Sequence, residues 1–134
     1  MDHKLKLMVV DDSPLFRTWL IHSLSADDRF QVVGYAVNAL DAQEKIPLLQ
    51  PDMLTLDIEM PGMSGIDFLK QLLPVHPIPV ILVSSLNLRV FDALEAGAVD
   101  FVRKPDEANG LSKEIFLSML RSKLMVAAAS HVHL

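Results

Sequence analysis

Residues that could carry chemistry follow four short aliphatic segments of this chain. In order they are Asp11 and Asp12, then Asp57, Ser84 and Lys104. Carboxylates gathered at one place repel each other and raise each other's pKa unless cations offset them. Mg²⁺ binds one or two carboxylates together with waters and phosphate oxygens, and a lysine ammonium supplies further positive charge. The set therefore predicts a magnesium site that handles a phosphoryl group.

Asp57 is the predicted nucleophile, because an acid that closes an apolar, buried strand needs a functional reason. An aspartate can form an aspartyl phosphate, since positioning and charge neutralisation do most of the work in phosphoryl transfer. We expect Asp11 and Asp12 to hold the metal, directly or through water. Lys104 and the Ser84 hydroxyl would contact the phosphoryl oxygens. Taken singly, the acid pair could also be charges that favour a helix start, and the serine and lysine could be ordinary surface residues.

Five aliphatic segments alternate with helix-like segments, and they must position these side chains. The predicted strands are Leu5–Val10, Phe30–Ala36, Met53–Leu56, Val80–Val83 and Val99–Val102. Most are continuous apolar runs, the pattern of a parallel sheet that helices cover on both faces. The carboxyl ends of parallel strands share one edge, so the candidate residues should meet there.

The predicted helices begin and end at caps, prolines, glycines or polar residues. They start at Pro14 after the N-cap Ser13, and then span Ala39–Ile46, Gly65–Leu73, Arg89–Ala96 and Ser112 to about Met125. Pro47 costs roughly 3 kcal/mol inside a helix, which predicts an end or kink near Ile46. Asn109-Gly110 is expected to form a turn before the last helix. The β-α alternation predicts an α/β doubly wound, three-layer sandwich with five strands and five helices.

Composition bounds the class of protein. The 134 residues suffice for one domain, predicted over residues 1–126, with 127–134 as a linker start or tail. A formal net charge of −5 argues against a nucleic-acid surface. The chain has no cysteine, which excludes disulfides and cysteine nucleophiles. Neither a signal peptide nor a membrane span is recognisable, so a cytoplasmic location is expected.

Five strings of the chain resemble, in order and spacing, the response-regulator receiver family. They are LMVVDDSPLFR, VVGYAVNALDAQEKI, PDMLTLDIEMPGMSGIDFL, PVILVSS and ALEAGAVDFVRKP. The wording of DDSP, TLDIEMP and GAVDFVRKP is most similar to the receiver domain of the chemotaxis protein-glutamate methylesterase. The resemblance assigns the acid pair to Asp11 and Asp12, the phosphoacceptor to Asp57, the hydroxyl switch to Ser84 and the lysine to Lys104.

The resemblance implies four further features. The sheet order is 2-1-3-4-5, as in flavodoxin-like folds. The backbone carbonyl of Glu59 is a further Mg²⁺ ligand, and Pro105 follows the lysine in cis. Phe101 takes the place of the aromatic switch residue, although it lacks the hydroxyl that is common in the family.

The implied function is that of a switch. A histidine kinase of the chemotaxis type phosphorylates Asp57, and the fourth helix, fifth strand and fifth helix respond toward an output domain or partner protein. The segment between Ser84 and Gly97 is shorter than is usual in the family, so its loop and helix are expected to be trimmed. The catalytic domain of a methylesterase is missing, so the chain itself is not expected to be an enzyme.

Three other readings stay open. The chain could be a free-standing single-domain regulator rather than the regulatory part of a methylesterase. It could be a Mg²⁺-dependent phosphohydrolase that uses Asp57 and Glu59 as an acidic pair. It could also be a pseudo-receiver that binds partners without phosphorylation, which the intact acid set and Lys104 disfavour.

Overall fold

A computed structural model describes residues 4–85, 89–106 and 112–131 of the chain. Strands and helices alternate along it: β1 Leu5–Val10, α1 Pro14–Ser25, β2 Phe30–Ala36, α2 Ala39–Leu49, β3 Met53–Leu56, α3 Gly65–Leu72, β4 Val80–Ser84, α4 Arg89–Glu95, β5 Asp100–Arg103 and α5 Lys113–His131. The strands form one sheet in the order β2-β1-β3-β4-β5. Every neighbouring pair is parallel. The predicted fold class and strand order are therefore confirmed.

Strand β1, which lies between β2 and β3, is apolar on both of its faces. Leu7 and Val9 belong to one hydrophobic cluster, whereas Met8 and Val10 belong to a second one on the opposite face. Successive side chains of a strand point to opposite faces, so a strand that is covered on both sides needs apolar residues at every position. This explains why the strand segments are uninterrupted aliphatic runs.

The five helices divide between the two faces of the sheet. Helices α1 and α5 contribute Leu20, Leu24, Phe116, Leu120 and Leu124 to one cluster. Helices α2, α3 and α4 contribute residues such as Ile46, Phe68, Leu69, Val90 and Ala93 to the other. The result is the expected three-layer sandwich, with two helices below the sheet and three above it.

Side-chain caps fix three helix starts close to the carboxyl edge of the sheet. The Ser13 hydroxyl accepts a hydrogen bond from the backbone N–H of Phe16 at 3.4 Å, with Pro14 in the first turn of α1. Asn38 and Ser64 accept in the same way from the N–H groups of residues 41 and 67. Each cap satisfies a helix N–H that has no partner inside its own helix.

The predicted end of the second helix near Ile46 is wrong, whereas the alternative of a kink there stays a prediction. Helix α2 continues through Pro47 to Leu49 and ends at Gln50, which is left-handed with φ 49°. Pro47 lies on the exposed side near the end of the helix, so its ring meets solvent and its missing N–H removes one backbone hydrogen bond. The Gln50 N–H donates to the Ile46 carbonyl at 2.8 Å and closes the final turn.

The fifth helix is longer than predicted, because it reaches His131. Ala127 is only 3% exposed and packs in the same cluster as Leu124. Residues 127–131 therefore continue α5, and the domain boundary expected at residue 126 stays a prediction. Strand β4 extends to Ser84, and β5 begins one residue later than expected, at Asp100. Helix α4 has seven described residues, and the expected trimming of this segment stays a prediction. The predicted turn at Asn109-Gly110 lies outside the described residues. Within the described part of the chain, no helix has the length and hydropathy needed to cross a membrane.

Candidate phosphoacceptor site

Four strands bring the predicted site residues to the carboxyl edge of the sheet. Asp11 follows β1, Asp57 follows β3, Ser84 ends β4 and Lys104 follows β5. Backbone hydrogen bonds continue the ladder past the strand ends. The Asp57 N–H donates to the Val10 carbonyl at 3.0 Å, and the Lys104 N–H donates to the Ser84 carbonyl at 3.0 Å. The side chains thus emerge from a hydrogen-bonded frame.

The Lys104 ammonium bridges two buried carboxylates. Its Nζ lies 3.0 Å from Asp11 Oδ2 and 3.0 Å from Asp57 Oδ2. Burial of the ammonium acts to lower the pKa of Lys104, but the negative charges of Asp11 and Asp57 outweigh it and raise that pKa. The lysine is therefore a permanent cation in contact with both acids.

Burial raises the pKa of Asp11 above its usual range. The Ser13 N–H, which donates to Asp11 Oδ1 at 2.8 Å, and the Lys104 ammonium offset this effect only in part. The negative charge of Asp57 nearby raises the pKa of Asp11 further. A further cation close to Asp11 would therefore stabilise the ionised form of its carboxylate.

Asp11, Asp12 and Asp57 together form a compact set of oxygen ligands. One carboxylate oxygen from each lies within 4.8 Å of the other two, with Asp11 and Asp57 buried and Asp12 exposed. Hard oxygen donors with one open side suit Mg²⁺, which keeps several waters and binds phosphate oxygens. The residues present therefore fit the metal that the sequence predicts.

The Ser84 hydroxyl is buried at this edge without a hydrogen-bond partner in the described part of the chain. The residue is 0% exposed. A buried hydroxyl that lacks a partner costs free energy, so such groups are rare unless a ligand supplies the missing acceptor. A phosphoryl oxygen bonded to Asp57 is an acceptor of the required kind.

The loop after β3 is held closely against the start of α3. The Glu59 N–H donates to Asp57 Oδ1 at 2.9 Å, which orients the carboxylate from its own loop. A Cβ on Gly65 would lie 2.6 Å from Ile58 Cα and 3.1 Å from the Asp57 carbonyl oxygen. Glycine is thus the residue that lets the helix approach this closely. The role of the Glu59 carbonyl as a metal ligand stays a prediction.

The predicted cis peptide bond at Pro105 is wrong, since no cis bond occurs in the described ranges. The trans isomer is intrinsically favoured by about 0.5–1 kcal/mol for a bond to proline. Lys104 already contacts both acids with this isomer. The geometry of the site therefore does not require the cis form.

Phe101 is half-buried on β5 and packs against the cluster that contains Leu82, its partner in the sheet register. Ser84 lies two residues after Leu82, so its side chain points to the same face of the sheet as Phe101. Movement of the ring toward Ser84 during switching stays a prediction.

Two neighbouring contacts at the site were not predicted from the sequence. The Phe16 ring lies against Lys104, with Nζ 4.5 Å from the ring centroid. The Arg17 guanidinium donates to the Asp11 carbonyl at 2.8 Å and lies 4.7 Å from the Tyr35 ring centroid. Phe16 is one residue of the apolar stripe of the first helix, and Arg17 is an isolated charge. Nothing in the sequence therefore indicated that either residue would contact the site.

An open α/β sandwich with an acid triad and a lysine at its carboxyl edge defines a domain built to handle a phosphoryl group. The chain belongs to the response regulator receiver domain family, whose pattern it matches over residues 7–116.

Several of the curated relatives that the chain matches are protein-glutamate methylesterases. The chain is 45% identical over 129 residues to a protein-glutamate methylesterase/protein-glutamine glutaminase 2 of Syntrophomonas wolfei, covering 96% of this chain and 38% of that protein. The chain therefore spans well under half the length of this relative. The response regulator domain of Thermotoga maritima CheB superposes with a TM-score of 0.83 at 36% identity, covering 95% of this chain and 98% of that one. A chain in the crystal structure of the P1 domain of CheA3 in complex with CheY6 from R. sphaeroides superposes with a TM-score of 0.77 at 27% identity. The match covers 95% of this chain and 99% of that one.

Proposed function

We propose that Asp57 accepts a phosphoryl group and that the resulting aspartyl phosphate switches the output of a chemotaxis-type signalling protein. The observation that carries this proposal is the placement of Lys104 Nζ 3.0 Å from an oxygen of Asp57 and 3.0 Å from an oxygen of Asp11. Membership of the receiver family supports it. A lysine from one strand that joins acids from two others is what phosphoryl transfer to a carboxylate requires.

In the proposed reaction a carboxylate oxygen of Asp57 attacks the phosphorus of a phosphohistidine. A P–O bond forms, the P–N bond breaks, and the leaving imidazole takes a proton. The Glu59 N–H holds Asp57 Oδ1 at 2.9 Å, so the carboxylate is oriented before the reaction. Lys104 neutralises charge on the phosphoryl oxygens, and the Ser84 hydroxyl donates to one of them.

Mg²⁺, when bound, supplies the remaining positive charge between the acids and the phosphoryl oxygens. Asp11, Asp12 and Asp57 are its proposed side-chain ligands, with the Glu59 backbone carbonyl as a fourth. The exposure of Asp12 leaves one side of the site open to waters and to the phosphoryl donor.

The proposed donor is a histidine kinase. In the R. sphaeroides complex, a CheA3 P1 domain is bound to CheY6, and this complex has the same fold in its receiver part. A partner of the CheA type is therefore the proposed source of the phosphoryl group. The cytoplasmic location expected from the sequence stays a prediction.

The proposed output surface lies on α4, β5 and α5. Large exposed apolar side chains occur on or beside these elements, namely Phe91, Val99, Ile115 and Met119. Such side chains could contribute apolar contacts if another domain covers these elements. Phe101 shares the sheet face of Ser84, so we propose that a change at the hydroxyl reaches it by packing alone.

The chain is proposed to be the regulatory part of a longer methylesterase. The S. wolfei relative is named as a methylesterase/glutaminase, and the match covers 38% of its length. We propose that the chain itself does not turn over a substrate and that phosphorylation regulates an output domain. A free-standing regulator is the second candidate that the sequence leaves open.

Intact mass after incubation with acetyl phosphate and Mg²⁺ tests the proposal. The expected result is one phosphoryl adduct on the native chain. The adduct should not form when EDTA replaces Mg²⁺, and it should not form on Asp57→Asn. Asp28→Asn, at an exposed acid in the loop after α1, is the matched control and should keep the adduct. An unmodified native chain, under conditions that label another receiver, contradicts the proposal and favours a pseudo-receiver. Sustained release of phosphate without an adduct favours the phosphohydrolase.

A further inference from the structure

The Lys104 ammonium is enclosed on three sides, and one of those sides is aromatic. Nζ contacts Asp11 Oδ2 and Asp57 Oδ2 at 3.0 Å each and lies 4.5 Å from the centroid of the Phe16 ring. We propose that Phe16 is a positioning residue for the phosphoryl-transfer reaction, because it holds this ammonium at the edge of the site. The inference rests on the proposed function and adds a residue to it.

The Phe16 ring is itself held in place by other aromatic rings. Its centroid lies 5.7 Å from that of Trp19 and 5.9 Å from that of Phe116, the latter in an edge-to-face arrangement. Phe116 is 0% exposed and belongs to the core between α1, α5 and the sheet. Edge-to-face pairs are a preferred geometry for aromatic rings. The aromatic surface beneath Lys104 is therefore anchored in the core by contacts that do not involve the acid side chains.

Lysine needs such a support because its charge sits on a flexible four-carbon stem. In the unmodified protein the two carboxylates hold the ammonium by ion pairs. When a phosphoryl group bonds to Asp57, the carboxylate charge at that position is replaced by phosphoryl oxygens. The attraction between the ammonium and the electron-rich ring face persists through this change. The ring therefore keeps Nζ within reach of the phosphoryl group while its partner at Asp57 changes.

The ring also limits access of water to the ammonium, whose side chain is 19% exposed. Electrostatic interactions strengthen where water is excluded. Phe16 consequently strengthens the stabilisation that Lys104 provides as charge builds on the phosphoryl oxygens.

Three variants separate this role from simple packing. Phe16→Leu removes the aromatic face and keeps an apolar side chain, whereas Phe16→Tyr keeps the face. Phe30→Leu is the matched control, because Phe30 lies in the same hydrophobic cluster and has its own cation, Arg29, 5.4 Å from its ring centroid. Phe30 follows the short loop after α1 and lies at the opposite end of the strands from the acid site. Phe16→Met is the substitute if Phe16→Leu does not fold.

The first measurement is the rate of phosphorylation by acetyl phosphate at saturating Mg²⁺. Phe16→Leu should slow it about three- to tenfold, the usual range for loss of a partly buried cation–π contact. Phe16→Tyr and Phe30→Leu should stay within about twofold of the native rate. The second measurement, made on the unphosphorylated protein, is the NMR chemical shift of the Lys104 ε-methylene protons. An aromatic ring close to these protons moves their chemical shift. That displacement should disappear in Phe16→Leu alone.

An unchanged rate in a folded Phe16→Leu overturns the inference, and so does a Phe16→Tyr variant as slow as Phe16→Leu. If the native protein does not react at all, the proposed function fails. The Lys104 shift then tests the placement of the ring separately.

Discussion

Lys123 on α5 donates a hydrogen bond of 2.7 Å to the backbone carbonyl of Phe101 on β5. Its Nζ also lies 3.2 Å from Asp100 Oδ1 and 5.8 Å from the centroid of the Phe101 ring. One side chain thus fastens the last helix to the edge strand at the residue predicted to act as the aromatic switch. Contacts of α5 with β5 must change whenever that residue moves.

Lys123→Gln is expected to destabilise the protein by about 1 kcal/mol, the typical net worth of a hydrogen bond to a charged donor at a partly exposed position. Urea unfolding followed by circular dichroism measures the change. Lys70→Gln, at an exposed lysine on α3, changes the net charge equally and should leave the midpoint almost unaltered. Equal midpoints for the two variants would show that Lys123 does not fasten the helix.

Ser84→Ala should separate stability from switching. Among the described residues the hydroxyl has no hydrogen-bond partner, so its removal should leave the free energy of unfolding within about 0.5 kcal/mol of the native value, or raise it. The phosphorylated protein should lose the proposed hydrogen bond to a phosphoryl oxygen. We expect a lower steady-state yield of the phosphorylated form by intact mass, at unchanged thermal stability. A marked loss of stability without phosphate would mean that Ser84 has a structural partner.

Asp11→Asn should stabilise the metal-free protein at neutral pH. The folded-state pKa of Asp11 is raised by burial above the unfolded value of about 3.9. The stabilising contribution of this group is fully present below the unfolded pKa and is lost as pH rises through the folded pKa. The variant should therefore exceed the native protein in stability at pH 7 in EDTA, with the difference fading toward pH 3.9 and below.

Added Mg²⁺ should reverse that order. A ligand at 100 times its Kd stabilises the fold that binds it by about 2.7 kcal/mol, and Asp11→Asn lacks one of the proposed ligands. Thermal unfolding of both proteins, with EDTA and with Mg²⁺, measures the two effects together. A native protein that gains nothing from Mg²⁺ would contradict the metal assignment.

Gly65→Ala should destabilise the protein by about 1–3 kcal/mol, since the added Cβ meets backbone that cannot move freely. The nearest atoms are Ile58 Cα at 2.6 Å and the Asp57 carbonyl oxygen at 3.1 Å. Displacement of this loop should also slow phosphorylation. At Gly34 the corresponding Cβ meets the flexible end of Leu49 at 2.6 Å, so Gly34→Ala should cost less and leave phosphorylation unaffected. Chemical unfolding and the acetyl phosphate assay check both variants.

The strands and the edge where the site lies could be predicted because their signals are local and redundant. Both ends of strand β1 were predicted correctly. Its six residues are apolar except for one lysine, and two acids follow them directly. Once a parallel sheet is inferred, the convergence of Asp11, Asp57 and Lys104 follows from chain direction alone. The ion pairs of Lys104 show that these three residues do meet, whereas the roles of the acids stay predictions.

Features set by tertiary contacts could not be predicted in this way. Whether Pro47 interrupts α2 depends on its lying on the exposed side near the helix end, which propensity alone does not reveal. Phe16 is one of several apolar residues on α1, and nothing in its spacing indicates that Lys104, 88 residues later, would lie on its ring. The length of α5 likewise depends on the packing of Ala127 against the sheet.

The alternation of β1 between the two hydrophobic clusters also governs how the molecule can come apart. Leu7 and Val9 serve one layer and Met8 and Val10 the other, so neither layer can melt while this strand stays intact. We expect the amide hydrogens of β1 to exchange with solvent only through opening of the whole domain. Asp11 directly follows this strand, so one end of the acid site should be attached to a segment that opens only with the whole domain.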